Sequence, residues 1–244
     1  MRNIKLTIQY DGTNYSGWQA QANGRTVQEE IEKAIRKVLS SRVKLKGAGR
    51  TDAGVHAIGQ VANFKTGSPL KASSIKKALN SLLPRDIAIS AAEDVPLSFD
   101  SRRDSSSKIY RYTIVNKDCP SPISRHYAAF VPYRLDLAAM KRGATALVGR
   151  RDFKSFETAG SYRKDTKRDI KRLILAKRGD FIYVDIEADG FLYNMARSII
   201  GTLIDVGRGK VAASSVRGIL RAKSRNLAGP TAPAKGLCLM TVKY

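Results

Sequence analysis

The densest run of polar and glycine residues in the chain is Gly47-Ala48-Gly49-Arg50-Thr51-Asp52-Ala53-Gly54-Val55-His56. It gathers a guanidinium, a hydroxyl, a carboxylate and an imidazole behind an alternating apolar stretch. The functional reading is that the glycines let a substrate approach closely around Arg50, Thr51 and Asp52. The plainer reading is a tight turn, in which the glycines supply positive φ and Asp52 bonds local backbone. Other chemistries fit poorly. The glycine spacing matches neither G-x-G-x-x-G nor G-x-x-x-x-G-K-[ST], and Gly207-Arg-Gly-Lys210 lacks the following Ser or Thr. No nucleophile elbow accompanies Asp52 and His56, so a Ser/His/Asp triad is not supported and His56 reads as structural. A metal-dependent nuclease would pair Asp52 with Asp11 or another acid, yet Asp52 has no close acidic neighbour in sequence.

Three further features carry chemistry. Tyr110 and Tyr112, in Lys108-Ile-Tyr-Arg-Tyr112, share one face of a strand and suit either base stacking or core packing. Residues 150–178 hold eleven Lys/Arg against four Asp/Glu, a solvated face or an RNA-facing one. Arg197 sits in an apolar stretch, where a buried guanidinium needs a carboxylate partner or must snorkel to a helix rim.

Composition sets the partner class. Of 244 residues, 44 are Lys or Arg and 21 Asp or Glu, a net charge of +23 in a chain that is 43% hydrophobic. A folded chain of that charge matches a polyanion, with nucleic acid first and a membrane surface second. Two cysteines, Cys119 and Cys238, exclude a disulfide-dense scaffold and a four-thiolate metal site, and two histidines, His56 and His126, leave little for a histidine-rich centre. A thiolate- or histidine-rich metal centre is therefore not expected. No apolar run reaches the roughly 18 residues of a membrane span. The alternating N-terminus is not that of a signal or transit peptide, so a cytoplasmic protein is expected.

The elements that must position these residues are legible as periodicities. Ile4, Leu6, Ile8 and Tyr10 alternate as a strand broken by Asp11-Gly12. Thr26 and Glu29 form a capping box ahead of the stripe Val27, Ile31, Ala34, Ile35, Val38 and Leu39, a helix closed near Ser40-Ser41. Val43 and Leu45 predict a strand running into the glycine loop, and Val61, Asn63 and Phe64 another. A helix over 74–83 stopped by Pro84, then a strand over 87–91, complete a βαββαβ order. The polar residues 100–108 read as a linker or hinge. The order then repeats: a strand at Tyr110, Tyr112 and Ile114; a helix opened by Asp136 with Leu137, Met140, Ala144 and Leu147; a hairpin of 170–177 and 181–188 around Arg178-Gly179-Asp180; an apolar helix over 191–205 ended by Gly207 and Gly209; and a closing strand over 237–244. This predicts an α+β protein of two ferredoxin-like halves, 1–104 and 105–244. The halves would be joined through a mostly antiparallel sheet with helices on one face and a positively charged cleft between them.

Five segments, in order across nearly the whole chain, resemble the bacterial tRNA pseudouridine synthase A family. They are Tyr10-Asp-Gly-Thr-Asn-Tyr-Ser-Gly-Trp18-Gln; Ala48-Gly-Arg-Thr-Asp52-Ala-Gly-Val-His56; Lys108-Ile-Tyr110-Arg-Tyr112; Phe191-Leu-Tyr-Asn-Met-Ala-Arg197 through Gly201; and Gly229-Pro-Thr-Ala-Pro-Ala-Lys-Gly-Leu237. Asn194 and Ala196 stand where the family often has His and Val, and Arg151 where it often has His. The resemblance implies isomerisation of uridine to pseudouridine at positions 38, 39 and 40 of the tRNA anticodon arm, by a cofactor-free homodimer. It implies Asp52 as the catalytic carboxylate and Arg197 as its cationic partner. It implies that Arg50 helps hold the nucleotide flipped, that Tyr110 stacks on the target base and that Leu237 lines the same pocket, with Thr51 beside the catalytic residue. A non-catalytic RNA-binding or RNA-chaperone protein is the rival from another class.

Overall fold

A computed structural model describes residues 1–158 and 165–244; residues 159–164, inside the basic stretch 150–178, lie outside the described residues. The chain divides into two compact units, Met1–Ser106 with Cys238–Tyr244, and Ser107–Leu237. The fold is α+β, with five helices and ten mostly antiparallel strands among the described residues.

In the first unit the elements are β1 (Arg2–Tyr10), α1 (Val27–Leu39), β2 (Lys46–Gly47), β3 (His56–Thr66), α2 (Ala72–Leu82) and β4 (Ile87–Val95), joined by the chain's last strand, β10 (Leu237–Lys243). β1 pairs antiparallel with β3 (Leu6↔Ala62) and β4 (Leu6↔Ala92), and β2 with β3 (Lys46↔Asn63). This 4-1-3-2 arrangement is what a βαββαβ order gives in a ferredoxin-like sheet. β10 runs parallel to the start of β3, pairing Cys238 with His56 and Leu239 with Ala57. A single cut near residue 104 does not capture that return.

α1 follows its sequence signature. Thr26 caps it by accepting the Glu29 N–H at 3.4 Å, and Val27, Ile31, Ala34 and Ile35 are buried. Such a cap is worth about 1 kcal/mol. The capping box is only half used, since the Glu29 carboxylate pairs with Lys33 one turn on. The strand expected at Val43 and Leu45 shrinks to Lys46–Gly47.

Residues 100–108 contain the division between the units, at Ser106 and Ser107, as a linker there would, but residues 100–106 are tied to the first unit. Ser101 is fully buried, its Oγ donating to Lys46 O at 2.6 Å and its N–H to Asn63 Oδ1 at 3.0 Å. Asp100 accepts from the N–H groups of Arg102 and Arg103 and from Lys46 Nζ. Burial pushes its carboxyl up, but the bonds from Arg103, Lys46 and Arg102 outweigh burial and hold it below its ordinary 3.8. A depressed carboxyl stabilises the fold above its unfolded value, and that contribution is lost as pH falls through the folded one. Asp100→Asn should therefore melt a few degrees below wild type at pH 7. The gap should close as pH falls through the depressed folded-state value; a gap that persists once the carboxyl is protonated in both states would show that ionisation is not its source.

In the second unit the elements are β5 (Ser107–Asn116), β6 (Ala129–Val131), α3 (Leu137–Thr145), β7 (Gly149–Asp152), β8 (Lys167–Arg178), β9 (Phe181–Ala188), α4 (Met195–Gly207) and α5 (Val216–Ala222). Its sheet has the order β5-β9-β8-β7, all antiparallel, with β6 parallel to β5. The hairpin turns at Gly179, whose φ of 56° lies in the left-handed region. Asp136 caps α3 by accepting the Ala139 N–H at 2.9 Å. The order β5-α3-β8-β9-α4 repeats that of the first unit. The short strands β6 and β7 and the helix α5 were not legible, being too brief to show a period. α4 begins at Met195 rather than 191, because Asn194 ahead of it takes a φ of 58°. It ends as expected, with Gly209 at φ 73° after the last turn.

Candidate active site

Asp52 sits in a braced loop of the first unit. The Val55 N–H donates to Asp52 O at 3.1 Å, closing a β-turn whose third residue, Gly54, has a φ of 76°. The turn reading of this loop thus holds at Gly54; Gly47 and Gly49 do not have positive φ. On the other side of the turn the Trp18 N–H donates to Thr51 O at 3.0 Å, and the Gly54 N–H to Tyr15 O at 3.3 Å. Thr51 is buried and its Oγ1 lies 2.8 Å from the Tyr10 hydroxyl. The Gln60 amide donates to Gly49 O at 2.8 Å. Asp52 itself is half-buried and Arg50 exposed. The loop therefore presents a carboxylate and a guanidinium from a backbone pinned at 49, 51, 52 and 54.

The first glycine-rich segment is what pins it, a role the sequence alone did not show. A Cβ on Gly12 would lie 2.0 Å from Val55 O, and one on Gly17, at φ 96°, 2.6 Å from Thr51 O. Only glycine lets these backbones touch. His56 is structural, as its isolation suggested: its Nδ1 accepts the Gly12 N–H at 3.0 Å and lies 3.1 Å from Asp11 Oδ1. Two tyrosines lock the segment at its ends. Burial pushes the Tyr10 hydroxyl well above its ordinary value. Burial does the same for Tyr15, helped by Asp86, whose carboxylate accepts the Tyr15 hydroxyl at 2.5 Å. Trp18 packs under Gly47, where a Cβ would lie 2.4 Å from its indole nitrogen.

The second unit holds the other candidates. Tyr110 and Tyr112 do share a face of β5, but neither ring lies open: Tyr110 is 6% exposed and Tyr112 0%. Tyr110 meets Phe191 edge-on at 5.0 Å between ring centroids. Tyr112 belongs to the core. Its hydroxyl donates to Pro233 O at 2.9 Å, and Gly236 packs so closely that a Cβ there would lie 2.5 Å from the ring. That contact seats the turn leading into Leu237, which is buried.

Arg197 occupies the first turn of α4, half-buried. A cation there is opposed by the helix dipole, so helix stability does not explain it. Its Nε donates to Ala232 O at 2.7 Å and its Nη1 to Asn194 Oδ1 at 2.9 Å. Asn194 is suited to this post because asparagine tolerates the left-handed conformation that places its amide over the helix start. The segment 228–232 is clamped in turn by Arg225, which donates to Ala228 O, Gly229 O and Thr231 Oγ1. Sequence reasoning missed Asn194 and Arg225, whose only signals are an amide before an apolar helix and a basic residue beside a Gly-Pro turn.

Among the described residues no group of three or more His, Cys, Asp and Glu side chains comes together as a metal-ligand set. No helix there is long and apolar enough to cross a membrane.

The family model and the curated relatives agree. A family model described as tRNA pseudouridine synthase matches residues 6–103 and 144–244. The chain is 47% identical over 244 residues to the tRNA pseudouridine synthase A of Thermoanaerobacter sp. (strain X514), covering all of both chains. It is 48% identical to that of Geotalea daltonii (strain DSM 22248 / JCM 15807 / FRC-32), again over the full length of both. Among solved structures it aligns with a Cbf5-Nop10-Gar1 complex at a TM-score of 0.37 and 13% identity, covering 96% of this chain and 57% of that one.

Proposed function

The chain belongs to the tRNA pseudouridine synthase family, and on that premise we propose that it isomerises uridine to pseudouridine at positions 38, 39 and 40 of the tRNA anticodon stem-loop, with Asp52 as the essential catalyst. In this reaction the N1–C1′ bond breaks, the uracil turns, and C5 bonds to C1′, while the C5 hydrogen leaves as a proton and N1 takes one up. Oxidation state is conserved, so the chemistry needs no cofactor. The observation that carries the reading is the pinned loop around Asp52, which presents a carboxylate beside an exposed arginine from a backbone with little freedom to move. Preorganisation of this kind is what a step with developing charge at the sugar requires.

Asp52 attacks C6 or C1′ as a nucleophile, or acts as a base toward the sugar. Arg50 serves as the group that holds the nucleotide out of the stem, an extrusion costing a few kcal/mol. Thr51, tied to Tyr10, fixes the backbone beside the carboxylate. Arg197 supplies positive charge for the ionised aspartate; Tyr110 and Leu237, both nearly covered in the free protein, line the pocket and meet the base as it enters. We further propose a homodimer, in which doubling the +23 of each chain suits a polyanion larger than one subunit.

The experiment is direct. Purified protein is incubated with tRNA tritiated at uracil C5, without metal or cofactor, and released tritium is counted. Forming the C5–C1′ bond releases the label, so tritium should appear in step with pseudouridine. Tight tRNA binding without release would replace the isomerase by an RNA-binding protein.

A further inference from the structure

The second unit contains a pocket of about 360 Å³ that the reaction does not use, lined by Thr145, Ala146, Arg151, Arg217, Leu220 and Arg221. Three of these six residues are arginines. Arg217 and Arg221 are one turn apart on α5 and border the pocket together with Leu220, while Val216 and Ile219 are buried. Ser155 fixes that helix from beneath by donating its hydroxyl to Ile219 O at 2.6 Å. Arg151 comes from β7, the edge strand of the sheet. It donates only to its neighbour's carbonyl, Arg150 O, at 3.0 Å. None of the three forms an ion pair with a described residue. The nearest acid in sequence, Asp152, is already committed to Lys223 at 3.0 Å.

Like charges at i,i+4 repel, so folding alone gives no reason to gather three arginines around one cavity. A phosphate does, because its oxygens accept the paired N–H groups of arginine. Exposed Lys141, one turn before the pocket-lining Thr145 on α3, adds to the basic surface beside it. A continuous basic surface suits a chain of phosphates better than a single small anion.

We infer that this pocket docks a backbone phosphate of the substrate tRNA at a point remote from the reacting uridine. The inference rests on the proposed function for its choice of RNA. The remoteness follows from the sheet order β5-β9-β8-β7, which puts β7 three strands, roughly 14 Å, from the strand that carries Tyr110.

The test compares wild type with Arg217→Ala/Arg221→Ala, and with Arg36→Ala/Lys37→Ala, a control pair on the exposed side of α1 that removes the same charge. Affinity for full-length tRNA is measured across a salt series, and kcat at saturating tRNA. The pocket pair should weaken binding about ten-fold at moderate salt and flatten the slope of log K against log[salt] by roughly 0.9, one phosphate contact, with kcat unchanged. The control pair should change affinity much less. Wild-type affinity and slope in the pocket pair would overturn the inference, as would an equal loss in the control pair or a fall in kcat with the slope intact. Affinity is read separately from tritium release. A wild type that binds tRNA without releasing tritium would therefore sink the isomerase reading, while the two slopes still decide the pocket.

Discussion

Asp52→Asn is expected to abolish pseudouridine formation while leaving tRNA affinity within a few-fold of wild type. The substitution keeps the shape of the side chain and removes its charge. The backbone bonds that shape the loop come from Trp18, Gly54 and Val55 and do not involve the carboxylate. Asparagine is also at home at the first position of a turn. The fold and the RNA-binding surface should therefore survive, and the loss should fall on chemistry alone. An amide is neither a competent nucleophile toward carbon nor a base at neutral pH, so turnover should drop by at least about a thousand-fold. Single-turnover tritium release, run beside an affinity measurement, separates the two effects. Residual turnover above about one part in a thousand would take the catalytic role from Asp52. A collapse of affinity together with activity would show that the aspartate holds the loop rather than the reaction.

What the sequence disclosed and what it hid divide along a physical line. α1 was legible to the residue because its cap and its stripe are local: Thr26 reaches the Glu29 N–H, and Ile31 and Ile35 are one turn apart. The β8–β9 hairpin was legible for the same reason, its strands joined by a glycine turn. The parallel pairing of β10 with β3 was not, since Cys238 and His56 are brought together by nothing in their neighbourhoods. The site shows the same division. Asp52 stood out because a carboxylate in a glycine loop is visible in one glance at the chain. The service performed by Gly12 and Gly17 was hidden, because each is required only by a carbonyl from another segment. The pair Tyr110 and Tyr112 shows where a correct local reading stops. Alternation put both rings on one face of β5, and only the tertiary partners, Phe191 for one and Pro233 with Gly236 for the other, reveal that both are covered.

Gly201→Ala should damage the enzyme from within α4, against the usual trend for helices. At an exposed interior position alanine would stabilise the helix by about 0.5–1 kcal/mol. Here the added methyl would lie 1.6 Å from Pro230 O and 2.8 Å from Pro230 C. The loop has little freedom to retreat. Gly229 approaches α4 just as closely, a Cβ there lying 2.7 Å from Thr202 Cα, and its N–H donates to Thr202 Oγ1 at 2.8 Å. Arg225 ties the same segment at three acceptors. Overpacking of this kind costs about 1–3 kcal/mol or more, which exceeds the propensity gain. In a chain of this size that lowers Tm by several degrees. The functional cost should be larger than the thermal one. Ala232, two residues beyond Pro230, accepts Arg197 Nε at 2.7 Å and donates its N–H to Arg197 O at 3.1 Å, so a shifted loop carries the guanidinium with it. A displacement of about 1 Å in such a group can lower turnover about a hundred-fold. Gly218→Ala on α5, where a Cβ meets nothing within 4 Å, is the matched control and should raise Tm. Wild-type Tm and kcat in Gly201→Ala would mean that the loop yields freely and that its grip on Arg197 is not what positions that residue.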